Sequence, residues 1–195
     1  MRSVVRTACA LAMIGITPVY AAEYVSNHVP EAKLVGQGRA QVLLWDVYEA
    51  KLYAPRGVYD HNKPFALELN YLQELEGRKI ADHAVSEMRR LGYGNEVKLA
   101  AWHDQMSRIF PDVSPGSVIT GVYVPGGPAI FFEEDRQIGR VNDPAFGREF
   151  FRIWFDAQTS TPALRQSLLN LNHSRKDYDH ESPEKSHSSG GGHGS

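Results

Sequence analysis

Apolar positions recur along this chain at two different periods, and the places where the period changes mark its elements. Ala40 to Tyr53 alternates throughout, which predicts one long, bent strand. One face would carry Val42, Leu44, Asp46, Tyr48, Ala50 and Leu52; the other would carry Leu43, Trp45, Val47, Glu49, Lys51 and Tyr53. Neither set is purely apolar, so one side of that strand is expected to be only partly covered. Pro55 and Gly57 end it, and Gly36-Gln37-Gly38 before it reads as a turn that uses permissive backbone. Phe65 to Tyr71 is a cleaner strand, with Phe65, Leu67, Leu69 and Tyr71 on one side.

The period then lengthens. Ile80, Ala84, Met88 and Leu91 fall at helical spacing, and Gly92 follows as a helix stop. Asn95 is placed to cap a second helix with Leu99, Trp102, Met106 and Ile109 inside, which Pro111 halts. Ser117 to Val124, Ala129 to Glu133 and Gln137 to Val141 read as three strands joined by Pro125-Gly126-Gly127 and Asp135-Arg136. Asp143-Pro144 opens a helix with Phe146, Phe150, Ile153 and Trp154 inside, and Thr161-Pro162 opens a last one with Leu164, Leu168 and Leu171 inside. Strands, two helices, three strands, two helices is not a βαβα alternation. It predicts an α+β fold, a large antiparallel sheet covered on one face by a layer of helices.

Composition changes the picture at both ends. Met1 to Arg6 carries two positive charges, Thr7 to Val19 is uncharged and apolar, and Val19-Tyr20-Ala21 has small residues where a signal peptidase needs them. Residues 1–21 are therefore expected to be a signal peptide cut after Ala21, since the apolar run is shorter than a bilayer span. Residues 172–195 are Ser, Gly, His and charge, a composition expected to be disordered, with four of the eight His too loosely held to build a metal site. The body is residues 22–171. Its single upstream Cys, Cys9, goes with the leader, and a periplasmic or secreted location is the simplest expectation. A formal charge of −2 excludes the basic footprint of backbone-driven nucleic-acid binding. No later segment is long enough for stable membrane insertion.

Candidate chemistry is sparse. There is no nucleophile elbow, zinc-protease motif, phosphate loop or paired-cysteine motif, so no metal or cofactor is expected. His83 and Glu87 stand one helical turn apart and could form an acid/base or metal pair, although the apolar stripe of that helix points elsewhere. His103-Asp104 lies on the polar side of its helix. A core of large rings and small residues can leave a pocket between sheet and helices, and Tyr48, Tyr71 and Tyr123 would supply its polar lining.

Several runs resemble the bacterial branch of the chalcone isomerase-like family. They are Trp45-Asp46-Val47-Tyr48-Glu49-Ala50-Lys51-Leu52-Tyr53-Ala54-Pro55, Ile109-Phe110-Pro111-Asp112-Val113 with Gly116, Phe131-Phe132 with Gly139, Asp143-Pro144-Ala145-Phe146 and Phe150-Phe151-Arg152-Ile153-Trp154. The similarity runs from about Lys33 to Leu171. The resemblance implies an open-faced sandwich with a ligand cleft between sheet and helices. It also implies a choice of functions, because plant members cyclise chalcones using an Arg that steers the oxyanion, whereas non-catalytic members hold a fatty-acid carboxylate with an Arg and a Tyr. In both, the Arg follows a G-x-G-x turn. Here that turn is Gly36-Gln37-Gly38-Arg39, leaving Ala40 at the expected Arg position and Arg39 one residue early. One residue turns a strand side chain to the opposite face, unless a bulge at the glycines restores its aim. The family's Thr falls on Tyr48, and its Tyr and Asn fall near Ile80 and Glu87, so chalcone cyclisation is not expected.

The leading expectation is an exported domain that binds a small apolar or amphipathic ligand without catalysis, with Arg39, Tyr48, Tyr71 and Glu87 as ligand contacts. The alternatives are an isomerase or intramolecular lyase using Tyr48 as acid and Glu87 as base, and a cell-envelope interaction module with an exposed apolar patch and no pocket.

Overall fold

The computed structural model describes residues 22–42 and 45–171; the expected signal peptide and His-containing tail lie outside the described residues. Six strands form one antiparallel sheet in sequence order: β1 (Ala32–Val42), β2 (Trp45–Pro55), β3 (Phe65–Tyr71), β4 (Val118–Tyr123), β5 (Ala129–Glu133) and β6 (Arg136–Val141). A four-residue helix α1 (Glu23–Ser26) precedes them. Helices α2 (Gly77–Arg90) and α3 (Glu96–Ile109) are inserted between β3 and β4, and α4 (Pro144–Phe155) and α5 (Pro162–Leu168) follow β6. The architecture is α+β, with the helix layer on one face of an antiparallel sheet.

The single strand expected over Ala40–Tyr53 is instead the junction of two. β1 and β2 pair from Ala32↔Pro55 to Val42↔Trp45. Both arms alternate in the same way and no Gly or Pro marks the junction, so periodicity alone runs through it. Gly36-Gln37-Gly38 is not a turn but the middle of β1. Here α5 lies directly on the strand: a Cβ on Gly36 would stand 2.2 Å from the Ser167 carbonyl oxygen, and one on Gly38 2.8 Å from Ser167 Cβ. The glycines serve close approach of two backbones rather than chain reversal.

The helices follow their expected signals. Asn95 Oδ1 accepts from Lys98 N at 3.0 Å to start α3. Gly92, at φ +92°, follows α2 in the left-handed conformation. Asp143 Oδ1 accepts from Ala145 N at 3.0 Å to start α4, while its Oδ2 accepts from Lys98 Nζ at 2.9 Å and Trp102 Nε1 at 3.2 Å, tying α4 to α3. Leu99, Trp102 and Met106 are fully enclosed, as are Phe146 and Leu168. Leu171 departs from expectation. α5 ends at Leu168, and Leu171 is 42 % exposed beyond it.

The opposite face of the sheet carries a small second core that the periodicity does not reveal. Val25 and Val29 from the amino-terminal segment pack with Tyr53, Ala66, Val122, Ile130 and Phe132. The Tyr24 hydroxyl lies 3.0 Å from Thr120 Oγ1, satisfying a threonine buried within the sheet.

Two outcomes follow. Gly36→Ala should cost about 2–3 kcal/mol, because backbone on both sides cannot yield, whereas Gly94→Ala, with nothing within 4 Å of its Cβ, should change stability by less than about 0.5 kcal/mol; denaturant midpoints compare them. Asp143→Ala should cost about 1–2 kcal/mol through the lost cap. Burial raises the Asp143 pKa, but Lys98, the Ala145 N–H and Trp102 outweigh it and hold the carboxyl below its ordinary value. That stabilisation is complete above the unfolded carboxylate range and fades as pH falls through the lowered folded value. Asp143→Asn should therefore flatten the acid limb of a stability–pH curve.

Candidate functional site

The β2–β3 register places Tyr48 opposite Tyr71, Ala50 opposite Leu69 and Leu52 opposite Leu67, all facing the helix layer. The two phenol rings meet edge to face, with centroids 5.9 Å apart. Gly121 on β4 has no side chain to fill the space beside them; its Cβ would lie 3.1 Å from Phe151 Cζ. Above this floor stand Ile80 and Ala84 of α2 and Phe150, Ile153 and Trp154 of α4. A cavity of about 390 Å³ remains, within the size range of small-molecule sites. Phe110, following α3, and Phe131 complete its aromatic walls, while Lys79 and His83 of α2 line it from its solvent-exposed side.

The polar atoms inside are few and specific. Trp154 Nε1 donates to Tyr48 Oη at 2.9 Å, leaving the Tyr48 hydroxyl proton available. Tyr71 Oη has no hydrogen-bond partner among the described residues. Burial pushes the Tyr48 phenol up to about 12; the Trp154 hydrogen bond pulls the other way, and the Glu87 carboxylate adds to the rise. Burial raises Tyr71 as well, reinforced by Tyr48. Both are neutral hydrogen-bond donors at physiological pH and poor proton acceptors.

Of the four residues expected at the ligand, the structure brings two together. Tyr48 and Tyr71 line the cavity; Arg39 and Glu87 do not. Arg39 lies opposite Glu49 on the other face of the sheet, exposed, where its Nη1 donates to Asp46 Oδ2 at 2.7 Å and its Nη2 donates to Glu49. Ala40, one residue on, pairs with Tyr48 on the helix side. A register shift does occur at Leu34/Gly36, beside the glycines, but Arg39 still faces outward. Glu87 is buried and fully engaged. It accepts from Arg90 Nη2 at 2.8 Å and from Ser160 Oγ at 2.7 Å, with Arg90 Nε at 3.1 Å from both oxygens. Its burial raises the pKa, but Arg90, Ser160 and His83 outweigh that and lower it overall. The Tyr48–Glu87 acid/base pair therefore has no common cleft, and Glu87 serves the helix layer. Among the described residues no group of three or more His, Cys, Asp or Glu is arranged to hold a metal ion.

Sequence reasoning treated Trp154, Phe150 and Ile80 as core and passed over Lys79. The available signal for Trp154 was an indole N–H within an otherwise apolar helical stripe, because a buried indole requires an acceptor. For the void itself the signal was Gly121, a side-chain-free position within a strand.

Comparison with known proteins places this geometry. The family model described as chalcone isomerase-like matches residues 18–170. A protein of Haemophilus influenzae described as uncharacterized is 27% identical over 124 residues, which is 63% of this chain and 60% of that protein, so the chain spans somewhat over half the length of this relative. The crystal structure of an Arabidopsis thaliana fatty-acid binding protein superimposes with a TM-score of 0.57 at 15% identity, covering 81% of this chain and 93% of that one. The family match runs from before α1 to beyond α5, through every strand and helix of the cavity, and the chain belongs to the chalcone isomerase-like family.

Proposed function

We propose that this protein binds one small apolar or amphipathic ligand in the cavity between sheet and helices and does not transform it. The observation that carries this reading is a walled apolar space with two neutral phenols as its inner polar groups. A ligand body there gains roughly 25 cal/mol per Å² of apolar surface removed from water. A phenol hydrogen bond adds about 0.5–1.5 kcal/mol and fixes orientation. An interaction module needs no such space. Acid–base chemistry with Tyr48 as the acid would need a base beside that phenol. The carboxylate expected in that role, Glu87, is instead locked to Arg90 and Ser160. The structural neighbour named as a fatty-acid binding protein supports the same reading. We place the working protein outside the cytoplasm, periplasmic or secreted, on the strength of its amino-terminal charge and hydropathy pattern.

An uncharged apolar dye should bind the protein at one site and brighten. Ala84→Phe, which puts a ring into the cavity from α2, should weaken that binding about tenfold or more. A variant that keeps its circular dichroism and still binds the dye as tightly as the parent would remove the cavity from the proposal. The pH response has a defined sign. The neutral Tyr48 phenol is favoured in the folded state, so its contribution is complete below the unfolded tyrosine range and is lost as pH rises through about 12. Ultraviolet titration should show phenolate from Tyr48 appearing only there. Export is checked by the amino terminus of protein recovered from the periplasm or medium, which should begin at Ala22.

A further inference from the structure

The two ends of the cavity differ in the charge they offer. On the solvent-exposed side stand Lys79 and His83, and Lys79 Nζ is already engaged by Glu76 Oε1 at 2.6 Å. At the sheet end stand Tyr48 and Tyr71. Across β1 from Tyr48 is Ala40, a methyl group 2 % exposed, while the neighbouring Arg39 guanidinium lies on the far face, neutralised by Asp46 and Glu49. The formal charge that acts on the Tyr48 phenol is negative and comes from Glu87.

A carboxylate pressed against these phenols would lose its water, find neutral donors and no cation among the described residues, and sit in the field of Glu87. Burying an ionised carboxylate without a countercharge costs far more than neutral hydrogen bonds return. A carbonyl oxygen surrenders little hydration and meets the same donors, the free Tyr71 hydroxyl and the unspent proton of Tyr48. Resting on the reading that the cavity is a binding site, we infer that its sheet end selects a neutral hydrogen-bond-accepting head, a ketone or ester carbonyl on an apolar body, over a carboxylate on the same body.

The experiment is displacement of N-phenylnaphthylamine from the full chain by undecyl methyl ketone and, separately, by tridecanoate at a pH where the acid is ionised. The ketone should displace the dye at about tenfold lower concentration or less. Tyr71→Phe should shrink that advantage several-fold, because it removes a donor used by the carbonyl. The comparison on the unaltered protein decides the matter even if that variant does not fold. Tridecanoate binding as well as or better than the ketone overturns the head-group inference and leaves cavity binding standing, with Lys79 as its anchor. No dye binding and no competition by either ligand removes the binding reading itself, and the inference with it.

Discussion

The pairing of Ala40 with Tyr48 across β1 and β2 decides what the interior of this protein can hold. In an antiparallel pair, opposed residues share a face, so a single register step determines whether a guanidinium or a methyl group enters the space under the helices. Here the methyl enters. Arg39 is left on the outer surface, where its ion pairs with Asp46 and Glu49 are solvated and contribute little to stability. Among the described residues the interior consequently has no fixed positive charge beside Tyr48 and Tyr71, and the phenols there remain protonated and donate.

The helices above the cavity are tied to one another at both ends of the layer. Glu87, Arg90 and Ser160 lock the end of α2 to the segment after α4, with Arg90 Nη1 also donating to the Gln158 carbonyl at 2.8 Å. Arg152 of α4 reaches the Leu91 carbonyl at 3.1 Å and pairs with Glu149 and Asp156. At the opposite end Asp143 joins α4 to α3. These half-buried bonds would be costly to leave unpaired, so they hold the helices to one another as one layer.

Much of this was legible in the sequence. The period shift after Tyr71, the caps at Asn95 and Asp143 and the Pro-Gly turns gave the strand and helix order, and from it the α+β layering. Tyr48 and Tyr71 were expected as polar lining because a phenol is the natural polar group for an apolar wall, and both line the cavity. What was hidden depends on relations between distant segments. The β1–β2 junction carries no turn residue, and Gly36 and Gly38 look like a turn unless Ser167, far along the chain, is known to lie against them. Glu87 looks like a free base until Arg90 and Ser160 are seen to engage it. The second core under the sheet rests on Val25 and Val29, two residues in a segment too short to show any period.

The contact of α5 with the bare backbone of β1 joins the first described strand to the last described helix. During synthesis, β1 must wait for almost the entire domain to emerge before its glycine stretch is covered. The sheet can form progressively, hairpin by hairpin, but closure of the layered structure is a late and long-range event. Loss of even the final turn of α5 would uncover the glycine stretch of β1.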